Sequence, residues 1–224
     1  MEIISLNVGR PRLVMWRGEA VSTGIYKEPV EGRIKLRTLN LDGDRQADLT
    51  VHGGPMKAVY AYPAEHYEFW RAELPRMHLP WGMFGENFTT LGLDEQSVFI
   101  GDRFRAGTAE LMVTQPRMPC YKLGIKFGRP EILKWFLASG RTGFYFSVIR
   151  EGEVGRGDTM ELIERDAHEV TVSEITRLYA HGKTDVEAMR RAARVEALPR
   201  SWRDYFQERI EKAADGRRSV DQGG

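Results

Sequence analysis

Short strand-like segments, separated by turns rich in glycine and proline, dominate the chain before residue 165. Helical patterns in this part are confined to 64–73 and 130–139. Many short strands with few helices predict a mainly β fold, a β-barrel with peripheral helices, rather than a sheet of βαβ units. The predicted strands are 2–8, 12–16, 32–39, 58–62, 97–100, 103–106, 109–113, 143–149 and 159–164.

The composition changes near Arg165, where three helix-start patterns begin at Thr171, Thr184 and Ser201. The first two are Thr-x-x-Glu capping boxes, in which the threonine and the glutamate satisfy backbone N–H groups at a helix start. Amphipathic helices of this length are marginal alone, so we expect them to form a three-helix bundle packed on the barrel. The predicted units are a barrel domain at 1–165, a three-helix domain at 166–214 and a disordered tail at 215–224.

Charge and cysteine content exclude several classes of protein. The 33 lysines and arginines nearly balance the 32 aspartates and glutamates, so no nucleic-acid partner is expected from global charge. A single cysteine cannot form an internal disulfide, which fits a reducing compartment. Because no apolar run approaches the ~18 residues of a membrane span and the first residues lack a signal-peptide pattern, we expect a cytoplasmic protein without membrane contact.

The only cysteine, Cys120, lies in the segment VTQPRMPCYKL directly after a predicted strand. Its two prolines cannot continue strand pairing, so the cysteine is expected on a stiff turn. Arg117 and Lys122 flank it, and nearby cations favour the thiolate, the form that binds soft metals and attacks electrophiles. The alternative is that Cys120 is a small buried apolar residue.

Two polar loops each place a cation beside a turn. Lys27 follows a Ser-Thr-Gly turn whose N–H groups can face a phosphate, although such a segment is more often a plain polar loop. Arg45 follows an Asp-Gly turn and can bind a carboxylate or phosphate through two N–H groups. The alternative for Arg45 is a salt bridge to Asp42, Asp44 or Asp48.

His52 and Lys57 flank a Gly-Gly-Pro kink, where the paired glycines allow another group to approach the backbone closely. No second histidine or cysteine stands at metal-ligand spacing, and the chain has no P-loop motif. A lone histidine here is more often a structural hydrogen-bonding residue. Asn87, in Gly-Glu-Asn-Phe, offers both a donor and an acceptor.

Three motifs in order carry a resemblance: His52-Gly-Gly-Pro-x-Lys57, Gly85-Glu-Asn-Phe88 and Thr114-Gln-Pro-Arg-x-Pro-Cys120. Together they resemble the MOSC domains, the family named after the C-terminal domain of molybdenum cofactor sulfurase. The chain is more similar to the bacterial YiiM-like branch, whose members add a short three-helix tail. The resemblance extends from Met1 to the low 210s, and it implies a MOSC-type β-barrel.

The resemblance also implies a site for a molybdopterin-type molybdenum cofactor. Cys120 would be both the protein ligand to molybdenum and the catalytic residue, because sulfur suits a soft, redox-active metal. The phosphate of the cofactor calls for cations, and the pterin of the cofactor calls for amide or backbone partners. The implied phosphate residues are Lys27, Arg45, Lys57 and Arg117, the implied pterin residues are Asn87, Thr114 and Gln115, and His52 would serve either.

Related MOSC reductases remove oxygen from N-hydroxylated compounds, so the resemblance implies reduction of substrates such as 6-N-hydroxylaminopurine. One cysteine cannot hold an iron–sulfur cluster, and a separate electron-donor protein is therefore expected. Two alternatives stay open. Cys120 could instead carry persulfide sulfur or pass on the cofactor without turnover, or the C-terminal helices could form a nucleic-acid-binding module.

Overall fold

The computed structural model of the protein describes residues 1–47, 53–180 and 185–221, with side chains described as far as residue 214. Its helices are α1 (Glu65–Glu73), α2 (Tyr121–Phe127), α3 (Ile132–Ser139), α4 (Val172–Ala180), α5 (Val186–Arg194) and α6 (Arg200–Asp221), with a short 3₁₀ helix at Pro55–Lys57. Its strands are β1 (Glu2–Val8), β2 (Arg12–Trp16), β3 (Glu19–Thr23), β4 (Glu28–Val30), β5 (Arg33–Leu36), β6 (Val59–Pro63), β7 (Phe88–Leu91), β8 (Arg103–Ala106), β9 (Ala109–Pro116), β10 (Phe144–Arg150), β11 (Gly152–Gly155) and β12 (Met160–Glu164).

Eight strands form one sheet in the order β12-β8-β9-β10-β6-β7-β1-β4, and its neighbours are antiparallel except for the parallel pair β6–β7. Two strand pairs, β5–β11 and β2–β3, form separate small sheets. The sequence-based expectation of a mainly β fold with helices and a C-terminal three-helix unit is confirmed. The sheet is not a closed barrel within the described residues, because the end strands β12 and β4 do not pair.

A seam of backbone hydrogen bonds nevertheless joins the start of β1 to the residues that lead into β12. Ile3 N donates to Asp158 O at 3.0 Å, and Gly157 N donates to Ile3 O at 2.8 Å. Met160 N donates to Met1 O at 3.0 Å. The large sheet therefore curls until its two sides meet near the amino terminus, without a continuous ladder between them.

The core lies inside this curled sheet and extends without a break into the C-terminal helices. β9 shows how sequence sets its position, because residues 109–112 alternate between buried and half-buried side chains. From Val113 to Pro116 every residue is buried, and here α4 and the 3₁₀ helix also pack against the strand. A second, aromatic-rich cluster packs α1, α2 and α3 against Tyr60 and Tyr62 of β6. The end of β9 is thus held from several directions.

Capping and strand-like contacts fix the C-terminal unit. Thr171 accepts a hydrogen bond from Glu174 N at 3.0 Å at the start of α4, as the capping box predicts. Asp185 caps α5 by accepting from Ala188 N at 3.2 Å, while the predicted cap Thr184 lies outside the described residues. Val172 N donates to Val98 O at 3.0 Å, which ties α4 to the sheet domain.

Several local expectations differ from the structure. Residues 97–100 form no strand, and Phe99 makes only an isolated bridge to Thr171. The sequence pattern did not indicate β3, β4, β7, β11 or α2. The backbone of α6 is described as far as Asp221, and the disordered tail expected from Asp215 stays a prediction. The domain boundaries themselves stay a prediction. In the described part of the chain no helix has the length and apolar character that crossing a bilayer requires.

Candidate functional site

Cys120 stands at the junction of β9 and α2. Pro116 is the last residue of β9, still paired with Phe144 of β10, and a three-residue link leads from it to the cysteine. Cys120 is the N-cap of α2 with an extended backbone (φ −119°, ψ 164°), and its carbonyl accepts from Leu123 N at 2.9 Å. The stiff turn expected from the prolines is therefore present, and a short helix fixes the cysteine on its far side.

The half-buried Cys120 lies in the wall of a pocket with about 600 Å³ of empty space, counted out to its open mouth. Six separate stretches of chain build it. The lining residues are Thr23, Gly24, Ile25, Lys27, Arg45, Gln46, Ala47, Gly53, Lys57, Tyr60, Gly85, Asn87, Arg117, Cys120, Lys122 and Tyr145.

Positive charge distinguishes this lining. Among the described lining residues there are five cations and no aspartate or glutamate: Lys27, Arg45, Lys57, Arg117 and Lys122. Cations that share one concave wall repel each other, and a bound anion relieves this repulsion. The low-dielectric walls of a cleft also strengthen the attraction between the cations and such an anion. The pocket is therefore suited to a negatively charged ligand.

Arg45 lies exposed at this wall, and the salt bridges to Asp42 or Asp44 that the sequence left open are not formed. The third candidate partner, Asp48, lies outside the described residues. A Cβ at Gly24 would lie 2.5 Å from Arg45 O, so only glycine lets the two loops approach this closely. The glycine of the Ser-Thr-Gly turn thus brings the Arg45 loop into the pocket wall.

The side chain of Lys27 is largely buried and forms an ion pair with the fully buried side chain of Asp44. Burial lowers the pKa of Lys27, and the carboxylate of Asp44 opposes that shift by stabilising the charged amine. The same carboxylate accepts from Gly9 N at 2.8 Å and from Asn87 Nδ2 at 2.9 Å. Lys27 is therefore held in place by a carboxylate that does not itself line the pocket.

Asn87 also lines the pocket, but the protein already uses its amide. Its Oδ1 accepts from Tyr60 N at 3.1 Å, and its Nδ2 donates to Asn7 O at 3.2 Å as well as to Asp44. These bonds connect β1, β6 and the loop before β7. In this structure Asn87 assembles the wall with both of its amide hydrogens engaged.

Arg117 presents the clearest unmet bonding capacity. Its side chain is 5% exposed, and its guanidinium lies 5.0 Å from the ring centre of Tyr60 and 5.3 Å from that of Phe136. Its Nη1 has no hydrogen-bond partner in the described part of the chain. Because buried donors are nearly always satisfied, this atom marks a place where a ligand acceptor belongs. The same guanidinium and the Tyr145 hydroxyl lie within electrostatic range of Cys120.

Two residues expected in the site are placed differently, and a third, His52, lies outside the described residues. Thr114 and Gln115 are buried and do not line the pocket, since both point to the carbonyl of Met56 in the 3₁₀ helix. Their role toward a pterin stays a prediction. Sequence reasoning did not select Lys122, Tyr60 or Tyr145 as site residues, although Lys122 was noted as a neighbour of the cysteine and carries the same cationic signal.

Lys126, on the next turn of α2 from Lys122, joins two loops next to the pocket through hydrogen bonds to their backbone. Its ammonium donates to Ile25 O at 2.9 Å and to Gly82 O at 2.5 Å. Burial lowers its pKa to about 7, the buried carboxylate of Glu86 opposes the shift, and the positive charge of Lys27 adds to it. Burial in turn raises the pKa of Glu86, which accepts hydrogen bonds from the Tyr67 hydroxyl and Gly82 N.

The Lys126 shift gives a pH-dependent stability. Between a folded pKa of about 7 and the ordinary value of 10.5, the unfolded chain holds a proton that the folded chain has lost. The free energy of unfolding therefore rises with pH over this range, by up to about 1.4 kcal/mol per unit from this group. Urea titrations at pH 7 and pH 9.5 should show wild type gaining relative to Lys126→Met. Parallel pH profiles for the two proteins would contradict the assignment.

Comparison with known proteins gives matches along most of the chain. The MOSC domain model matches residues 48–161, and the model of the YiiM-like 3-alpha helix domain matches residues 170–213. YflK, an uncharacterized protein of Bacillus subtilis (strain 168), is 42% identical over 94% of this chain and 95% of its own length. A protein named Reductase from Gibberella moniliformis is 33% identical over 79% of this chain and 32% of its own length. The crystal structure of YiiM from Geobacillus stearothermophilus superposes with a TM-score of 0.79 at 36% identity, covering 93% of this chain and 98% of that one.

Proposed function

The chain belongs to the MOSC domain family, in the branch with a YiiM-like three-helix domain, and from this premise we propose that it is a molybdenum-cofactor-dependent reductase of N-hydroxylated compounds. MOSC domains generally bind a molybdenum cofactor. The observation that carries the proposal is that Cys120 shares one pocket with an unsatisfied arginine donor and with a lining that, in its described part, has no carboxylate.

The described residues fit such a cofactor. The phosphate would lie among the cations, with Arg117 Nη1 as the donor that still needs an acceptor. No cluster of three or more histidine, cysteine or acidic side chains suited to a metal occurs among the described residues. Molybdenum held here would thus take the sulfur of Cys120 and draw its other soft ligands from the dithiolene of the cofactor.

In the proposed reaction R–NHOH, two electrons and two protons give R–NH₂ and water, so the N–O bond breaks and the oxygen leaves as water. The cofactor supplies the two-electron redox chemistry when it is bound. Cys120 would hold the metal at the pocket wall, and the lining cations would hold the phosphate. Tyr60 and Tyr145, whose rings are 5.3 Å apart at 39°, line the pocket beside Arg117 and give a planar substrate an aromatic surface.

The electrons are proposed to come from a separate donor protein, because the single cysteine of the chain cannot hold an iron–sulfur cluster. The name of the Gibberella moniliformis relative, Reductase, supports the reaction class. Its remaining length has no counterpart in this chain, since the match covers 32% of it. The substrate and the donor are therefore proposed by class.

An anaerobic assay of the cofactor-loaded protein tests this function. Reduced viologen dye and 6-N-hydroxylaminopurine should give adenine, with two dye molecules oxidised per adenine, and adenine itself should oxidise none. The loaded protein should contain about one molybdenum per chain, since one thiol ligand is present. Sulfane sulfur on Cys120 without adenine formation would contradict the reductase and favour the sulfur carrier.

A further inference from the structure

A hydrogen bond joins the C-terminal helices to the strand that leads to Cys120. Trp202, in the first turns of α6, donates its indole N–H to Gln115 Oε1 of β9 at 3.0 Å. We propose that Trp202 is a positioning residue, through which the three-helix unit holds one wall of the ligand pocket in place. This inference rests on the pocket as an anion site and does not require that the protein be a reductase.

Gln115 connects Trp202 to the backbone of Met56 through the two ends of its side-chain amide. It is 5% exposed, and while its Oε1 accepts from the indole, its Nε2 donates to Met56 O at 3.2 Å. Thr114 adds to the same point, since its hydroxyl lies 2.7 Å from Met56 O and 3.1 Å from Tyr145 O. Trp202 orients the Gln115 amide by fixing which end is the acceptor, and this leaves the NH₂ group aimed at Met56.

Met56 lies in the short segment 53–57, here called the Lys57 wall, whose ends Gly53 and Lys57 both line the pocket. Its 3₁₀ helix is three residues long and closes with the bond from Lys57 N to Gly54 O at 2.9 Å. Gly53 and Gly54 precede it with φ of 100° and 84°, a region that glycine enters without strain. The side-chain bonds to Met56 O therefore anchor a segment that would otherwise sample other conformations.

The position of Trp202 favours this role over general packing. Its ring is surrounded by aromatic neighbours in the C-terminal unit, and Tyr179 and Phe206 lie at ring-centre distances of 5.4 and 5.9 Å. Packing fixes the ring inside the three-helix unit, and the N–H is the group that reaches β9. Replacing Trp202 by phenylalanine keeps an aromatic ring but removes the N–H donor together with part of the indole. Gln115→Met leaves the indole intact, so comparing the two variants separates the hydrogen bond from the packing.

Amide hydrogen exchange of the full-length protein tests the constraint directly. Trp202→Phe should speed exchange at the Lys57 amide about fivefold to tenfold, the effect of losing one hydrogen bond, and Gln115→Met, which removes two, should speed it at least as much. Tyr179→Phe is the matched control. Tyr179 belongs to the same aromatic cluster, and its hydroxyl has no hydrogen-bond partner among the described residues. Leu111, in the paired part of β9, reports global unfolding, so its exchange rate in each variant gives the change in global stability against which the local opening at Lys57 is compared.

Pyrophosphate binding measured by calorimetry tests the consequence for the pocket. Trp202→Phe should weaken binding about threefold to tenfold, and Tyr179→Phe should leave it unchanged. Lys57→Met should weaken it as well, and adding Trp202→Phe to that variant should have no further effect, because the two act through one group. Unchanged exchange at Lys57 in Trp202→Phe, additive effects, or a wild type that does not bind pyrophosphate would each overturn the proposal. Failure of the viologen assay with these effects intact counts only against the reductase function.

Discussion

Cys120→Ser is expected to lower reduction of 6-N-hydroxylaminopurine at least about a hundredfold and to remove most of the molybdenum from the loaded protein. Serine is nearly the same size as cysteine, but its hydroxyl is a hard oxygen that stays protonated and binds a soft metal poorly. Turnover with reduced viologen and molybdenum per chain, both compared with wild type, give the measurement.

Stability serves as the control for this variant. Cys120 is the N-cap of α2, it makes no side-chain capping bond, and serine is among the preferred N-cap residues. The free energy of unfolding should therefore be unchanged or slightly higher than in wild type, and pyrophosphate binding should persist because the lining cations remain. Equal rates for wild type and Cys120→Ser would remove the thiol from the mechanism.

Asp44→Ala is expected to destabilise the protein by about 3–5 kcal/mol, the usual cost of leaving one member of a buried ion pair without its partner. The Asp44 side chain is fully buried and that of Lys27 is 8% exposed, so water cannot replace the lost carboxylate. The substitution also deprives Gly9 N and Asn87 Nδ2 of an acceptor. Chemical denaturation gives the free energy of unfolding. Pyrophosphate binding should weaken in parallel, because the loop that carries Lys27 loses its anchor.

The double variant Lys27→Met/Asp44→Asn is the matched comparison. It removes both charges, and the asparagine oxygen can still accept from Gly9 N. Because a buried pair replaced as a whole costs far less than a pair broken on one side, this protein should be substantially more stable than Asp44→Ala. If Asp44→Ala unfolds at the same denaturant concentration as wild type, the ion pair has no structural role.

The features that depend on local pattern were predictable. The presence of β9 follows from residue order, and so does the helix cap at Thr171, although β9 continues to Pro116 where the sequence predicted an end at Val113. The short elements were not predicted, because their sequence patterns are weak. α2 has seven residues with a glycine in the middle, and glycine is a poor helix former. β11 begins and ends in glycine, and its pairing with β5 comes from tertiary contact rather than propensity.

The candidate site was also predictable only in part. Motif residues such as Cys120 and Arg117 do line one pocket, together with Lys27, Arg45 and Lys57. What residue type cannot give is the direction of a side chain. The Asn87 amide is consumed by three protein groups, and that of Gln115 faces Met56 and Trp202. The partnership of Lys27 with Asp44 spans 17 positions and depends on how two loops meet.

The seam between Ile3 and Asp158 governs the order in which a growing chain can complete its fold. The first strand leaves the ribosome early, yet its partners at that seam appear only after more than 150 further residues. At typical synthesis speeds of about 5–20 residues per second, this delay is roughly 8 to 30 s. During that interval the first strand has an unprotected border, which favours contact with chaperones. An affinity tag is therefore better fused behind α6 than in front of Met1, whose carbonyl is part of the closure.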